Sequence, residues 1–178
     1  MDRQNLLFNV LRNALYHTAR RRSLETQNRL FNFAVIALGA SAVLSVIQPI
    51  VRPEYIGIAT TVIGAVQLVW DFGGKARDHA QLQRDYLELL SRIEGTIEPS
   101  AKQLAAWKGE MIRISSSEGP ILRAVDAKAY NDAIDATEFY GPGERLYIGV
   151  LPRLFGAVLT FEGHRFDKLS ERQQAAAE

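Results

Sequence analysis

The strongest constraint on this chain is a gap in its charge. No Asp, Glu, Lys or Arg occurs between Arg29 and Arg52, and Leu30–Val51 reads LFNFAVIALGASAVLSVIQPIV. A second charge-free stretch, Tyr55–Trp70 (YIGIATTVIGAVQLVW), ends at Asp71. A helix rises about 1.5 Å per residue and a bilayer core is about 30 Å thick, so about 20 residues cross it. The first stretch is long enough. The second is short, and reaches that length with Phe72 and some local thinning of the bilayer. Strands this long are rare, and neither stretch carries the polar stripe of an amphipathic core helix. The expectation is an all-α membrane protein with spans over 30–51 and 55–72 forming a hairpin. The alternative is a soluble bundle with an unusually apolar central hairpin. Ala40-Ser41-Ala42 resembles a signal-peptide cleavage site, but about 30 residues precede the apolar run and it continues well past the site.

Averages conceal this pattern. The 178 residues are 47% apolar and 23% charged, with net charge +1 and a mean hydropathy of −0.08. Residues 1–30 carry +4, six arginines less Asp2 and Glu25, which leaves −3 for the rest. Lys75, Arg77, Arg84 and Arg92 follow the second stretch, whereas the connecting loop has only Arg52. The positive-inside rule places both termini in the cytoplasm. Tyr55, and Phe31, Phe33, Trp70 and Phe72, fit aromatic belts at the two interfaces. Zero cysteines exclude a disulfide scaffold and thiolate metal sites.

Small residues allow close helix approach in lipid. Ala37, Ser41 and Ser45 recur every fourth residue on the first span, and Gly57, Thr61 and Ala65 on the second, with Gly64 alongside. These faces suit packing of the hairpin on itself, or packing between hairpins around a lumen. Gln48, Gln67 and Asp71 are polar at membrane depth or its edge, Asp71 reading as the interfacial end of a helix.

Outside the spans, residues 1–29 read as a cytosolic amphipathic helix with Leu7, Val10, Leu11, Ala14 and Leu15 on one face. Residues 73–170 read as a cytosolic helical bundle. Leu82, Tyr86, Leu89 and Ile93 have heptad-like spacing, and Gly73-Gly74 loosens the junction before them. Ser100 is an N-cap candidate for a helix carrying Leu104, Trp107, Met111 and Ile114. Pro120 is expected to start the next helix, and Gly141-Pro142-Gly143 to form a turn. The apolar segment 147–161 reads as a C-terminal helix, too short for a confident span. It is expected to pack on the bundle, with a position in the membrane interface as the alternative. The tail 171–178 is expected to fray.

Catalytic motifs are lacking. Asp71-Phe72-Gly73 matches a kinase tripeptide, without the glycine-rich loop or catalytic loop that would give it meaning. There is no P-loop and no dinucleotide fingerprint. The histidines His17, His79 and His164 show no metal-ligand spacing. The expectation is no enzyme, no cofactor, no metal and no direct nucleic-acid binding. Arg20-Arg21-Arg22 suits anionic lipid better.

Tyr16-His17 with Arg20, Asn28-Arg29-Leu30-Phe31-Asn32-Phe33, and Leu38-Gly39-Ala40-Ser41-Ala42 together resemble the SLATT family. This is the SMODS- and SLOG-associating two-transmembrane effector family of bacteria. Asp71-Phe72, Ala76, His79, Leu82, Tyr86 and Leu89-Leu90 extend the resemblance, as do Arg123-Ala124-Val125-Asp126 and Tyr130-Asn131. The resemblance covers roughly residues 10–165. It implies a homo-oligomeric inner-membrane effector of anti-phage defence that perforates or depolarises the membrane. Its trigger would be a ligand or a nucleotide-signalling or reverse-transcriptase-type partner. The resemblance transfers no catalytic residue. A non-pore membrane anchor recruiting a cytosolic defence enzyme is the alternative. A holin-like lysis protein fits less well, because about 100 residues after the spans would have no role.

Overall fold

The structure, a computed structural model, describes residues 2–47 and 52–175, with only the backbone for 44–47. Ser45 as a packing residue, Gln48, the end of the first apolar stretch and tail residues 176–178 therefore lie outside the described side chains. The fold is all-helical, with no strand among the described residues. The helices are α1 (Arg3–Ile47), α2 (Pro53–Trp70), α3 (Phe72–Glu94), α4 (Ala101–Ser115), α5 (Arg123–Thr137), α6 (Val150–Phe155) and α7 (Leu169–Ala175), with a 3-10 turn at Pro142–Glu144. The chain divides into two compact units, Arg21–Asp78 and Met1–Arg20 with His79–Glu178. These boundaries fall inside α1 and α3, not at residues 29 and 73 as the charge pattern suggested. Continuous helices give no sequence signal where packing partners change.

The unit Arg21–Asp78 is a helical hairpin. Leu24, Phe72 and Ala76 form its buried cluster, with Phe31 and Val66 against them. Phe31 stacks on Phe72 with ring centroids 5.1 Å apart. Most of its large apolar side chains instead face outward, including Phe33 at 71% and Leu68 at 83% exposure. Among the described residues one helical stretch, Pro53–Glu94, is long and apolar enough to cross a membrane, and 11% of its apolar window is buried.

The α2–α3 junction is set by Asp71, which takes a left-handed conformation (φ 41°) that Asp tolerates better than most residues. Its carboxylate accepts the Gly74 N–H at 2.9 Å. A Cβ on Gly74 would lie 2.0 Å from that carboxylate. Asp71 thus makes the break, and Gly74 leaves room for its cap. This accounts for the paired glycines better than looseness does.

The other unit holds the main core. Leu6, Leu7, Val10 and Ala14 of α1 meet Leu82, Tyr86, Leu89 and Ile93 of α3 and Trp107 and Ile114 of α4. Phe8 points to a second cluster with Ala133 and Ile134 of α5, where the rings of Tyr130 and Tyr140 meet it edge-on at 5.3 and 4.9 Å. Helix termini are satisfied by side chains. Ser100 and Gln103 form a reciprocal capping box at the start of α4. Arg3 donates to the carbonyls of Ile93 and Glu94 at the end of α3 and of Thr96 just beyond it.

Three expectations fail here. α5 starts at Arg123, not Pro120, because the Tyr16 hydroxyl accepts the Leu122 N–H at 3.0 Å and fixes the entry point. Residues 171–175 belong to α7 rather than a frayed tail, since Leu169 N–H donates to the Arg145 carbonyl at 2.8 Å and Glu171 pairs with Arg165. The helix expected over 147–161 is limited to Val150–Phe155, ended by the turn in which Phe155 accepts the Val158 and Leu159 N–H groups. Nor does the segment bury its large side chains in the bundle. Only Pro152 and Gly156 within it are buried.

Candidate functional site

Two arrangements gather the residues singled out by sequence. The first is the outer surface of the hairpin. Ala37, Ser41, Gly57, Thr61, Gly64 and Ala65 are all exposed. A Cβ added at Gly39, Gly57 or Gly64 would meet nothing within 4 Å. The small residues therefore do not pack the hairpin on itself. Partly buried side chains such as Val35, Leu38, Ile63 and Val66 face inward instead. Ser41 and Thr61 return their hydroxyls to the carbonyls one turn earlier, at Ala37 and Gly57. Each is thus hydrogen-bonded within its own helix. Gln67 donates to the Asn32 side-chain oxygen at 2.8 Å and bridges α1 and α2. Asp71 is the junction cap described above.

The second arrangement is a buried polar cluster. Tyr16 and His17 lie on α1, His79 and Tyr86 on α3. Helical spacing places His79 and Tyr86 two turns apart on the same face. His17 is 1% exposed. Its Nδ1 lies 2.8 Å from Nδ1 of His79. One of these two atoms donates a proton and the other accepts it. On its other side, His17 Nε2 lies 3.2 Å from Glu118 Oε1, at ion-pair distance but without hydrogen-bond alignment. The Tyr86 hydroxyl donates to the same Glu118 oxygen. The Tyr86 ring stacks on His17 at 5.6 Å, and Tyr16 meets His17 edge-on at 5.1 Å.

The electrostatics follow from that packing. Burial pushes the Glu118 carboxyl up. The contacts from His17 and Tyr86 outweigh it and hold the carboxyl below its ordinary value. Burial raises the Tyr86 phenol strongly, and its bond to Glu118 raises it further. Burial also raises Tyr16, against the lowering effect of its bond to Leu122. The cluster keeps Glu118 ionised beside the His17–His79 pair.

The remaining predicted residues serve the fold nearby. Arg20 donates to the Ala157 carbonyl at 2.8 Å. Asp126 forms a bidentate ion pair with Arg12. Asn131 is 7% exposed and mimics a strand partner, donating to the Leu146 carbonyl at 2.9 Å and accepting its N–H at 2.7 Å. Glu118, the centre of the cluster, was not anticipated. It sits in the loop after α4, where no periodicity marks a residue as inward-facing.

Among the described residues no three His, Cys, Asp or Glu side chains are grouped to hold a metal ion. A groove of about 250 Å³ is lined by Leu6, Ala101, Leu104, Ala105 and Lys108, and no member of the cluster opens into it. What the cluster can do is lock α1 to α3 through the His17–His79 hydrogen bond. No family model, curated protein or solved structure matches the chain.

Proposed function

We propose that this chain is a bacterial inner-membrane effector of the SLATT type. Its hairpin crosses the bilayer twice, over 30–51 and 55–72, with both termini in the cytoplasm. Several copies assemble and perforate or depolarise the membrane when a partner or ligand triggers them. The observation that carries this reading is the inversion of burial within one chain. Leu30, Phe33, Ile36 and Val43 of α1, and Ile58, Val62, Leu68 and Val69 of α2, are exposed, while the other unit buries a conventional core. An apolar surface of that kind is stable in lipid and costly in water. One hairpin encloses no aqueous path, so conduction requires several copies. The outward small residues suit close approach of neighbouring hairpins. The trigger partner, a nucleotide-signalling or reverse-transcriptase-type protein, is proposed on the resemblance alone.

The test is ion flux. The full chain, reconstituted in phosphatidylglycerol-containing vesicles and expressed in cells with its neighbouring genes, should collapse a potassium diffusion potential on triggering. Gly64→Leu and Ala37→Leu, which add bulk to the outward faces, should reduce the flux without releasing the chain from the membrane. A chain that inserts, binds a cytosolic partner and never conducts would replace this reading with that of an anchor.

A further inference from the structure

The segment after Tyr147 offers a second membrane contact. Val150, Leu151, Leu154, Phe155, Val158 and Leu159 all point to solvent, with Val150 at 72%, Leu154 at 68% and Val158 at 70% exposure. This is not a loose loop. Pro152 and Gly156 are buried, and a Cβ on Gly156 would lie 2.5 Å from the Ala124 methyl of α5. The Ala157 carbonyl accepts from Arg20 at 2.8 Å, and the Thr160 carbonyl from the Arg123 N–H at 3.4 Å. Phe155 closes a turn by accepting the N–H groups of Val158 and Leu159 at 3.0 and 2.8 Å. The backbone is pinned on one side while six large apolar side chains are held outward on the other.

Within the segment the only charge is basic, and Glu162 follows it. Arg153 is the only charged residue between Arg145 and Glu162. It is exposed and forms no ion pair among the described residues. The same holds for the Arg123 side chain, at the start of α5. An apolar ridge carrying an unpaired arginine matches the layered chemistry of a bilayer surface, with chains below and phosphate above.

We infer that residues 147–159 form an interfacial anchor that lays its apolar ridge into the anionic cytoplasmic leaflet, with Arg153 on lipid phosphate. The inference rests on the membrane reading above and adds to it a second lipid contact, made by the cytosolic half of the chain.

The chain has no cysteine, so a single introduced thiol labels one position. Full-length Leu154→Cys, Val62→Cys and Ile112→Cys chains would carry an environment-sensitive nitrobenzoxadiazole probe. They would be reconstituted in 70:30 phosphatidylcholine:phosphatidylglycerol vesicles containing a nitroxide-labelled lipid. Quenching is expected at Leu154 on the ridge and at Val62 on the hairpin, but not at Ile112, which is exposed on α4. Arg153→Gln should lower the ratio of buried to unburied Leu154 probe about fivefold, the worth of one basic residue at an anionic surface. Quenching at Val62 without quenching at Leu154 would overturn the inference and leave the hairpin standing. Absence of quenching at both would overturn the membrane reading and the anchor with it. A Leu154 probe shielded from both lipid and aqueous quenchers, with energy transfer between copies, would mean that a second chain covers the ridge.

Discussion

Tyr86→Phe isolates the buried cluster with little disturbance of packing. The ring is 0% exposed and stacks on His17, and phenylalanine keeps it. What disappears is the hydroxyl that donates to Glu118. A hydrogen bond to a charged group contributes about 1.5–3 kcal/mol, against about 0.5–1.5 kcal/mol for a neutral pair. The substitution should therefore cost about 1.5–3 kcal/mol at pH 7, or a fall of about 3–12 °C in Tm for a chain of this size. The pH dependence is the sharper part. The Glu118 carboxyl is held below its ordinary 4.5, although burial alone would raise it, because His17 and Tyr86 favour the ionised form. A carboxyl depressed in the folded state contributes stability that is present above 4.5 and is lost as pH falls through the folded value. Removing the tyrosine hydroxyl weakens the depression, so in the variant the acid loss of stability is smaller and is complete at a higher pH. Its cost shrinks toward the neutral-pair value of about 1 kcal/mol at pH 3. The assay is denaturant unfolding of the full chain in detergent, followed by far-ultraviolet circular dichroism at pH 7 and pH 3. A double-mutant cycle with Glu118→Gln should show a coupling of about 0.5–3 kcal/mol. Equal cost at both pH values, or additive effects, would refute the cluster's electrostatics.

Four further substitutions test the fold by the same unfolding assay. Asn131→Ala strips both bonds from the Leu146 backbone, and should cost about 2–4 kcal/mol and speed proteolysis near the Pro142–Glu144 turn. Gly156→Ala forces a Cβ to within 2.3 Å of the Pro152 carbonyl oxygen and 2.5 Å of Ala124 and should destabilise by about 1–3 kcal/mol. Gly109→Ala, inside α4 with nothing within 4 Å, should stabilise by about 0.5–1 kcal/mol. Ser100→Ala should cost about 1 kcal/mol through the lost capping box.

Helix periodicity marks most of the main core. Leu82, Tyr86, Leu89 and Ile93 repeat at the interval that keeps one face of α3 inward, and all four are buried. Ser100 was readable because a cap needs a short polar side chain at one position, and Gln103 completes the box. Tyr16, His17, His79 and Tyr86 could be nominated, yet their meeting depends on the register of α1 against α3, which local spacing does not encode. Glu118 joins them from a loop, and loops carry no periodic signal. The small residues of the hairpin show the same limit. Their four-residue spacing marks a face on each helix, but not whether that face meets its own partner helix or looks outward. In 147–161, composition marked the segment as apolar. Only the burial of Pro152 and Gly156 beneath it reveals that its large side chains are held away from the core.

The central claim is that the hairpin crosses the membrane twice with only its short connection outside. The direct measurement is labelling of Arg52→Cys in intact spheroplasts with a membrane-impermeant maleimide, against Arg84→Cys on α3 in the same cells. The account predicts that Arg52→Cys reacts before lysis and Arg84→Cys only after it. Labelling of both before lysis, or of Arg52→Cys only after lysis, would contradict it.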